Sequence, residues 1–292
     1  VINFRYHLVS IAAIFIALAA GVVLGSGPLD DASDSLTGDE TTTQGADPAV
    51  RSFEAGFASR TAPALLKDQL KGQSVVVLTV PGTNAAEVKG VSTDLELAGA
   101  EVTGEVALTS KMLDSSGRQF AEGVAQQSAE GVAGVSSAGD SYGRIGSALA
   151  RAVVADKAAT LDGTASTILS AFTEGALITQ TRAPKRSATL TVLVTAPQRA
   201  SGSAQSTVIA ALAAALSSTG KGVVVAGPAT SSTDGGAVKA VRDSDSASEI
   251  STVDVTDSAA GRVVTVLAAA EQAAGQPGAW GTSRSASGAV PD

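Results

Sequence analysis

The residues that come nearest to a catalytic pattern are Gly139-Asp140-Ser141-Tyr142-Gly143, which satisfy G-x-S-x-G. In hydrolases that pattern works because a sharp strand-to-helix turn lifts the serine toward a histidine base and a backbone oxyanion hole. No strand pattern precedes it here, and the single histidine, His7, lies before a long apolar run near the start of the chain. A serine without a base is not activated. The segment reads as a helix start with Ser141 as N-cap, and nothing in the sequence supports a Ser-Lys variant. No catalytic residue is assigned, and a non-enzymatic protein is expected.

Metal chemistry is limited by the same inventory. Copper(I) is held by thiolate, thioether or imidazole, and the chain has no Cys, one Met (Met112) and one His. The lack of Cys also rules out disulfides. Asp30, Asp31, Asp34, Asp39 and Glu40 are hard oxygen donors, but their spacing does not follow the alternate-position calcium loop with its central glycine. That run reads as a solvated linker. No metal site and no cofactor are assigned.

Nucleotide binding needs a glycine-rich turn after a strand. Pro81-Gly82-Thr83-Asn84 has one glycine where a dinucleotide fingerprint has three, and no GK[ST] is present for a P-loop. Gly227 to Gly236 is roomier. Ligands of open α/β sheets sit at the carboxyl ends of the strands. The candidate cleft turns are therefore Pro81, Gly82, Thr83, Pro197, Gly227 and Pro228. The plainer alternative is a set of ordinary βα turns in which glycine supplies positive φ.

These turns presuppose strands and helices in alternation, and the sequence supplies them. Ser74 to Val80, Thr189 to Ala196 and Gly222 to Ala226 are β-branched runs with the look of strands buried on both faces. Each is closed by a proline, at Pro81, Pro197 or Pro228, that cannot donate to a ladder. Val102 to Leu108 alternates with polar residues and is expected at a sheet edge. Ile250 to Val255 is a last strand. Helices are expected where Val88/Val91/Leu95, Ile145/Leu149/Val153, Ile168/Phe172, Val208/Leu212/Leu216 and Val263/Leu267 recur at helical spacing, with a short one around Val238 and Val241. Phe120 to Val135 reads as loop with weak helix, and residues 110–187 show no comparable strand. The fold class is α/β: one N-terminal transmembrane helix, then an open, mostly parallel sheet with helices on both faces, Rossmann- or flavodoxin-like.

Composition agrees with that class. Hydrophobic residues make up 44% of 292, mostly Ala, Val and Leu with six Phe and one Trp, so the core must be packed from small side chains. The net charge of −8 argues against nucleic acid as a partner. From Leu8 to Leu24 there is no charged residue, and at ~1.5 Å per residue such a helix approaches the thickness of a hydrocarbon core. Arg5 precedes it and an acidic segment follows, which predicts a cytoplasmic N-terminus and an extracytoplasmic main domain at the cell membrane. A cleaved signal peptide is the alternative, since Ala17-Leu18-Ala19 resembles a peptidase site. Ala17, Gly21 and Gly25 at four-residue spacing could pack against a partner's helix. The expected organisation is 1–28 as signal anchor, 29–62 as acidic juxtamembrane linker interrupted by Pro48 and carrying a short helix that ends before Pro63, 63–275 as the α/β domain, and 276–292 as a disordered tail.

The opening INFRYHLVSIAAIFIALAAGVVLGSGPL, the segment APALLKDQLKGQSVVVLTVPG and the closing AAGRVVTVLAAAEQAAG together resemble the actinobacterial copper transporter family of MctB-like proteins. The resemblance runs through almost the whole chain in order. It implies a role in copper efflux or homeostasis, or an envelope channel. For corynebacterial members it also implies cell separation with a partner membrane protein that regulates peptidoglycan hydrolysis. The shortage of soft ligands favours the second reading: a single-pass envelope protein whose domain binds a protein partner or envelope component. An oligomer of the chain itself is a further option.

Overall fold

The β-branched runs form the middle of one sheet. The computed structural model describes residues 47–133, 135, 140–198 and 203–291. The expected anchor at 1–28, its stripe Ala17, Gly21 and Gly25, and residues 29–46 of the acidic linker lie outside the described residues. Among those described, no helix is long and apolar enough to cross a membrane.

Seven strands are present among the described residues: β1 (Ser74–Thr79), β2 (Glu101–Leu108), β3 (Ile178–Arg182), β4 (Leu190–Val194), β5 (Val223–Ala226), β6 (Ser251–Val253) and β7 (Ala279–Trp280). They lie in the order β3-β2-β1-β4-β5-β6-β7. All neighbours are parallel except β2 and β3. In β1, β4 and β5 alternate side chains feed opposite faces, which is why these strands are apolar at nearly every position. Val75, Val77, Val192 and Val224 enter one core; Val76, Leu78, Leu193 and Val225 enter the other.

Helices cover both faces. On the first lie α1 (Pro48–Leu65), α2 (Ala85–Leu97) and α9 (Ala259–Ala273), contributing Ala62, Val91, Leu95, Val266 and Ala269. On the second lie α3 (Ser110–Leu113), α4 (Arg118–Ser128), α5 (Ser141–Val153), α6 (Gly163–Glu174), α7 (Ser203–Ser217) and α8 (Ala237–Arg242). Met112, Ile145, Leu149, Phe172, Leu212 and Val238 are buried there. Of the segments that resemble the copper transporter family, the two within the described residues meet in the first core, where Leu66, Leu70 and Val75 share a cluster with Val263, Val264 and Ala268.

Several expectations are corrected. β2 is not at the edge, because β3 pairs outside it, antiparallel, with Leu108 opposite Ile178. The sequence ITQTR lacks an apolar run, and its strand exists through the pairing. Arg118–Ser128 is a full helix, and Asp140, not Ser141, caps α5, its Oδ1 accepting from Gly143 N at 2.6 Å. Helix α1 is long and does not end before Pro63. Pro48 occupies its first position, where the missing N–H costs nothing and φ is preset. Pro63 removes one bond near the other end, and Leu66 N still reaches Ala62 O at 2.8 Å.

Residues 276–291 are ordered, contrary to the expected tail. β7 adds to β6, pairing Thr252 with Ala279 and Val253 with Trp280, and Trp280 bridges onward to Gly288. A buried ion pair fixes this edge. Arg242 Nη1 donates to Asp254 Oδ2 at 2.7 Å, with side chains 6% and 0% exposed. Arg242 also reaches Thr252 Oγ1, Trp280 O, Ser283 Oγ and Ser285 Oγ, while Asp254 accepts from Thr282 N and Ser283 Oγ.

Candidate functional site

In the strand order, the crossovers change direction between β1 and β4. A parallel sheet opens there at its carboxyl end, because the two adjoining turns leave for opposite faces. The turn after β1 is built for tightness. Gly82 adopts φ +88°, which a side chain resists. The Thr83 hydroxyl then lies 2.7 Å from Val80 O and 3.3 Å from Val194 O, tying the ends of β1 and β4 together. Asn84 caps α2 by accepting from Ala86 N at 2.9 Å.

Pro81 and Pro197 come together at this seam. With Val80, Leu113, Gln205 and Ile209 they line a cavity of about 50 Å³. Two of its polar side chains are committed elsewhere: Gln205 Nε2 donates to Asp114 Oδ1 at 2.6 Å and Ser206 Oγ to Gly235 O at 2.7 Å. That volume suits ordered water, whereas small-molecule pockets run to about 300–1,000 Å³. Thr83 faces a separate groove of about 570 Å³ between α2 and β2, with Lys89, Glu96, Glu105 and Arg182 on its walls. Those charges are largely matched, since Arg182 donates to Glu96 at 2.9 Å and Glu105 accepts from Ser92 at 2.9 Å.

Gly227 and Pro228 join neither space. A Cβ at position 227 would lie 2.2 Å from Thr195 Oγ1 and 2.5 Å from Ser231 Oγ. The Pro228 carbonyl accepts from Ser231 N at 2.8 Å at the start of a 3-10 turn, Ala229–Ser232. These residues pack the turn. Gly227→Ala is expected to cost about 1–3 kcal/mol through overpacking, read as a lower denaturation midpoint. An unchanged midpoint would free Gly227 from that role.

The sequence pattern at Ser141 opens α5 with no strand directly before it among the described residues, the Glu122 carboxylate that accepts from Ser141 is held below its ordinary range first by Arg144, and the only His lies outside the described residues. Met112, the one thioether, is 0% exposed in the second core. No group of three His, Cys, Asp or Glu residues is placed to hold a metal among the described residues. Sequence reading missed the titratable pair on the first face, Glu87 and Asp94 of α2. Burial, above all, holds both carboxyls above their ordinary range; the Thr256 hydroxyl and then Arg262 of α9 pull Glu87 back toward it, and Arg262 does so for Asp94. Arg262 Nε stands 4.0 Å from Asp94 Oδ2. The only hint was helical spacing, since the two acids lie seven residues apart on α2.

The sequence as a whole is more informative than any of these turns. It matches the family described as "Copper transport outer membrane protein, MctB" over residues 1–291. The chain belongs to the MctB family. Proteins called "Copper transporter MctB" from Mycobacterium tuberculosis and Mycobacterium bovis are each 33% identical to it over 296 residues, covering 91% of either chain. The protein of that name from Mycobacterium leprae is 32% identical over the same span. The resemblance read from three segments thus extends to the MctB family across nearly the full length. The family description and the relatives' names speak of copper transport and not of cell separation, so the two readings expected from sequence exchange places.

Proposed function

We propose that the chain is a copper-homeostasis component of the cell envelope, working by assembly with other components and not through a thiolate or imidazole copper site of its own. The observation that carries it is the full-length relation to MctB copper transporters, 33% identical over 91% of both chains. The second half rests on donor chemistry. Copper(I) needs sulfur or imidazole ligands, and the chain offers no Cys, a Met112 sealed in the core and a lone His7. The apolar run Leu8–Leu24, with Arg5 before it and acids after, supports a single anchor with the α/β domain extracytoplasmic. The strand order supports a Rossmann-like domain, whose contribution on this reading is a binding surface.

The test is genetic and analytical. Cells lacking the chain are expected to hold more copper, by elemental analysis, and to stop growing at copper levels the parent tolerates. Unchanged copper content and tolerance would remove the reading. Met112→Leu keeps the core volume and costs under about 1.5 kcal/mol, so it is expected to restore tolerance fully. Failure of a folded Met112→Leu chain to do so would point to the thioether as a ligand and overturn the second half alone.

A further inference from the structure

The groove between α2 and β2, about 570 Å³, is of ligand size, and it opens where ligands of parallel sheets sit. Its floor is the carboxyl half of two parallel strands, where Thr79 of β1 stands beside Ala107 of β2. Its walls hold two cations, Lys89 and Arg182, and two carboxylates, Glu96 and Glu105. Three of these charges are tied down. Arg182 Nη1 donates to Glu96 Oε1 at 2.9 Å, a bridge from β3 to α2. Glu105 Oε1 accepts from Ser92 Oγ at 2.9 Å, and Ser92 is only 5% exposed, so a buried donor fixes one carboxylate oxygen and leaves the other open. The Lys89 ammonium is exposed and bonds to no described residue, and the hydroxyls of Thr79 and Thr181 are equally free among the described residues.

We infer that this groove binds a small zwitterion one or two residues long, a free amino acid or a dipeptide, with its carboxylate on Lys89 and its ammonium on Glu105. Charge and spacing both point there. The four charges of the walls cancel, so an anion would meet Glu96 and Glu105 and a cation would meet Lys89 and Arg182, whereas a ligand with separated ends meets opposite charge at each. Lys89 lies three residues before Ser92 on α2, so their Cβ atoms are about 5–6 Å apart, and Ser92 touches Glu105. A dipeptide spans at most ~7 Å, which matches that separation. The first turn of α2, at Ala85, also lines the groove, and its positive end favours the carboxylate on the Lys89 side. Val88 and Ala107, both partly buried, leave room for a small apolar side chain, and Thr79 and Thr181 can meet a peptide group. The site does not depend on the copper reading.

Calorimetric titration of the detergent-purified full chain with alanine and with alanylalanine is the test. At least one of the two is expected to bind with a Kd of about 1 mM or tighter, and the tighter of them tells a free amino acid from a dipeptide. Acetylating the amine or amidating the carboxylate of that probe removes one charge, and each change is expected to weaken binding by about tenfold or more. Lys89→Met sits on an exposed helix face and keeps a good helix former. It is expected to weaken the intact probe by about tenfold and the amidated one not at all. Glu105→Gln keeps an acceptor for Ser92 and is expected to weaken the intact probe but not the acetylated one. No heat from either probe up to ~10 mM overturns the inference. So does binding that survives blocking both ends of the probe, and so does binding indifferent to both substitutions while circular dichroism stays unchanged.

Discussion

Arg242→Met is expected to lower the unfolding free energy by about 3–5 kcal/mol, because it strands the buried Asp254 carboxylate without its countercharge. In a domain of this size that corresponds to a fall of roughly 10 °C in Tm. Arg242 also donates to Thr252, Trp280 O, Ser283 and Ser285, so the loss spreads to the pairing of β7. The double variant Arg242→Met/Asp254→Leu is expected to recover much of the stability, since an apolar pair avoids the desolvation that the ion pair must offset. A single variant within about 1 kcal/mol of wild type would show that water reaches the pair. The pH dependence has a definite sign. Burial tends to raise the Asp254 carboxyl, but Ser283, Thr282 N–H and Arg242 outweigh it and hold the group below its ordinary value. The folded state thus binds fewer protons than the unfolded chain in mild acid. The contribution is complete above about pH 4 and disappears as pH falls through the folded value. Denaturant unfolding as a function of pH should show that acid limb in wild type and a weaker one in Asp254→Asn.

Phe172→Ala is expected to cost about 3–5 kcal/mol. Of the four phenylalanines in the described residues, Phe53, Phe57 and Phe120 are exposed and Phe172 alone is fully buried, in the helix-covered core with Ile145, Leu149, Ile168 and Leu177. More than half of that core is Ala and Val, short or stiff side chains that give little into a phenyl-sized void, so the cavity persists and its cost adds to the lost transfer energy. Equilibrium unfolding should show a lower midpoint with an unchanged slope. A cost below about 1.5 kcal/mol would mean that α6 settles inward to fill the space.

How much of this was legible in the sequence depended on where each segment's structure comes from. β1, β4 and β5 announced themselves because burial on both faces demands uninterrupted β-branched residues, and α2 and α9 because one buried face leaves a 3.6-residue period. β3 and β7 did not. ITQTR and Ala279-Trp280 become strands only because Leu108 and Val253 offer open ladders beside them, information carried by residues far away in the chain. The small, polar composition of 276–291 concealed the side chains that satisfy Asp254. Helix α1 was misjudged at its prolines, since Pro48 and Pro63 break a helix interior but are tolerated near its ends. At the carboxyl ends of the strands, the pairing of Pro81 with Pro197 followed from topology, whereas the separation of Gly227 from them depended on the packing of Thr195 and Ser231.

The β7 edge also ties three separate segments into one unit. Arg242 at the end of α8 and Asp254 just after β6 take their remaining partners from residues 280–285. Without that segment the pair would face water and β6 would lose its outer neighbour. Helix, strand and closing segment are therefore expected to exchange their amide hydrogens together, as one opening unit.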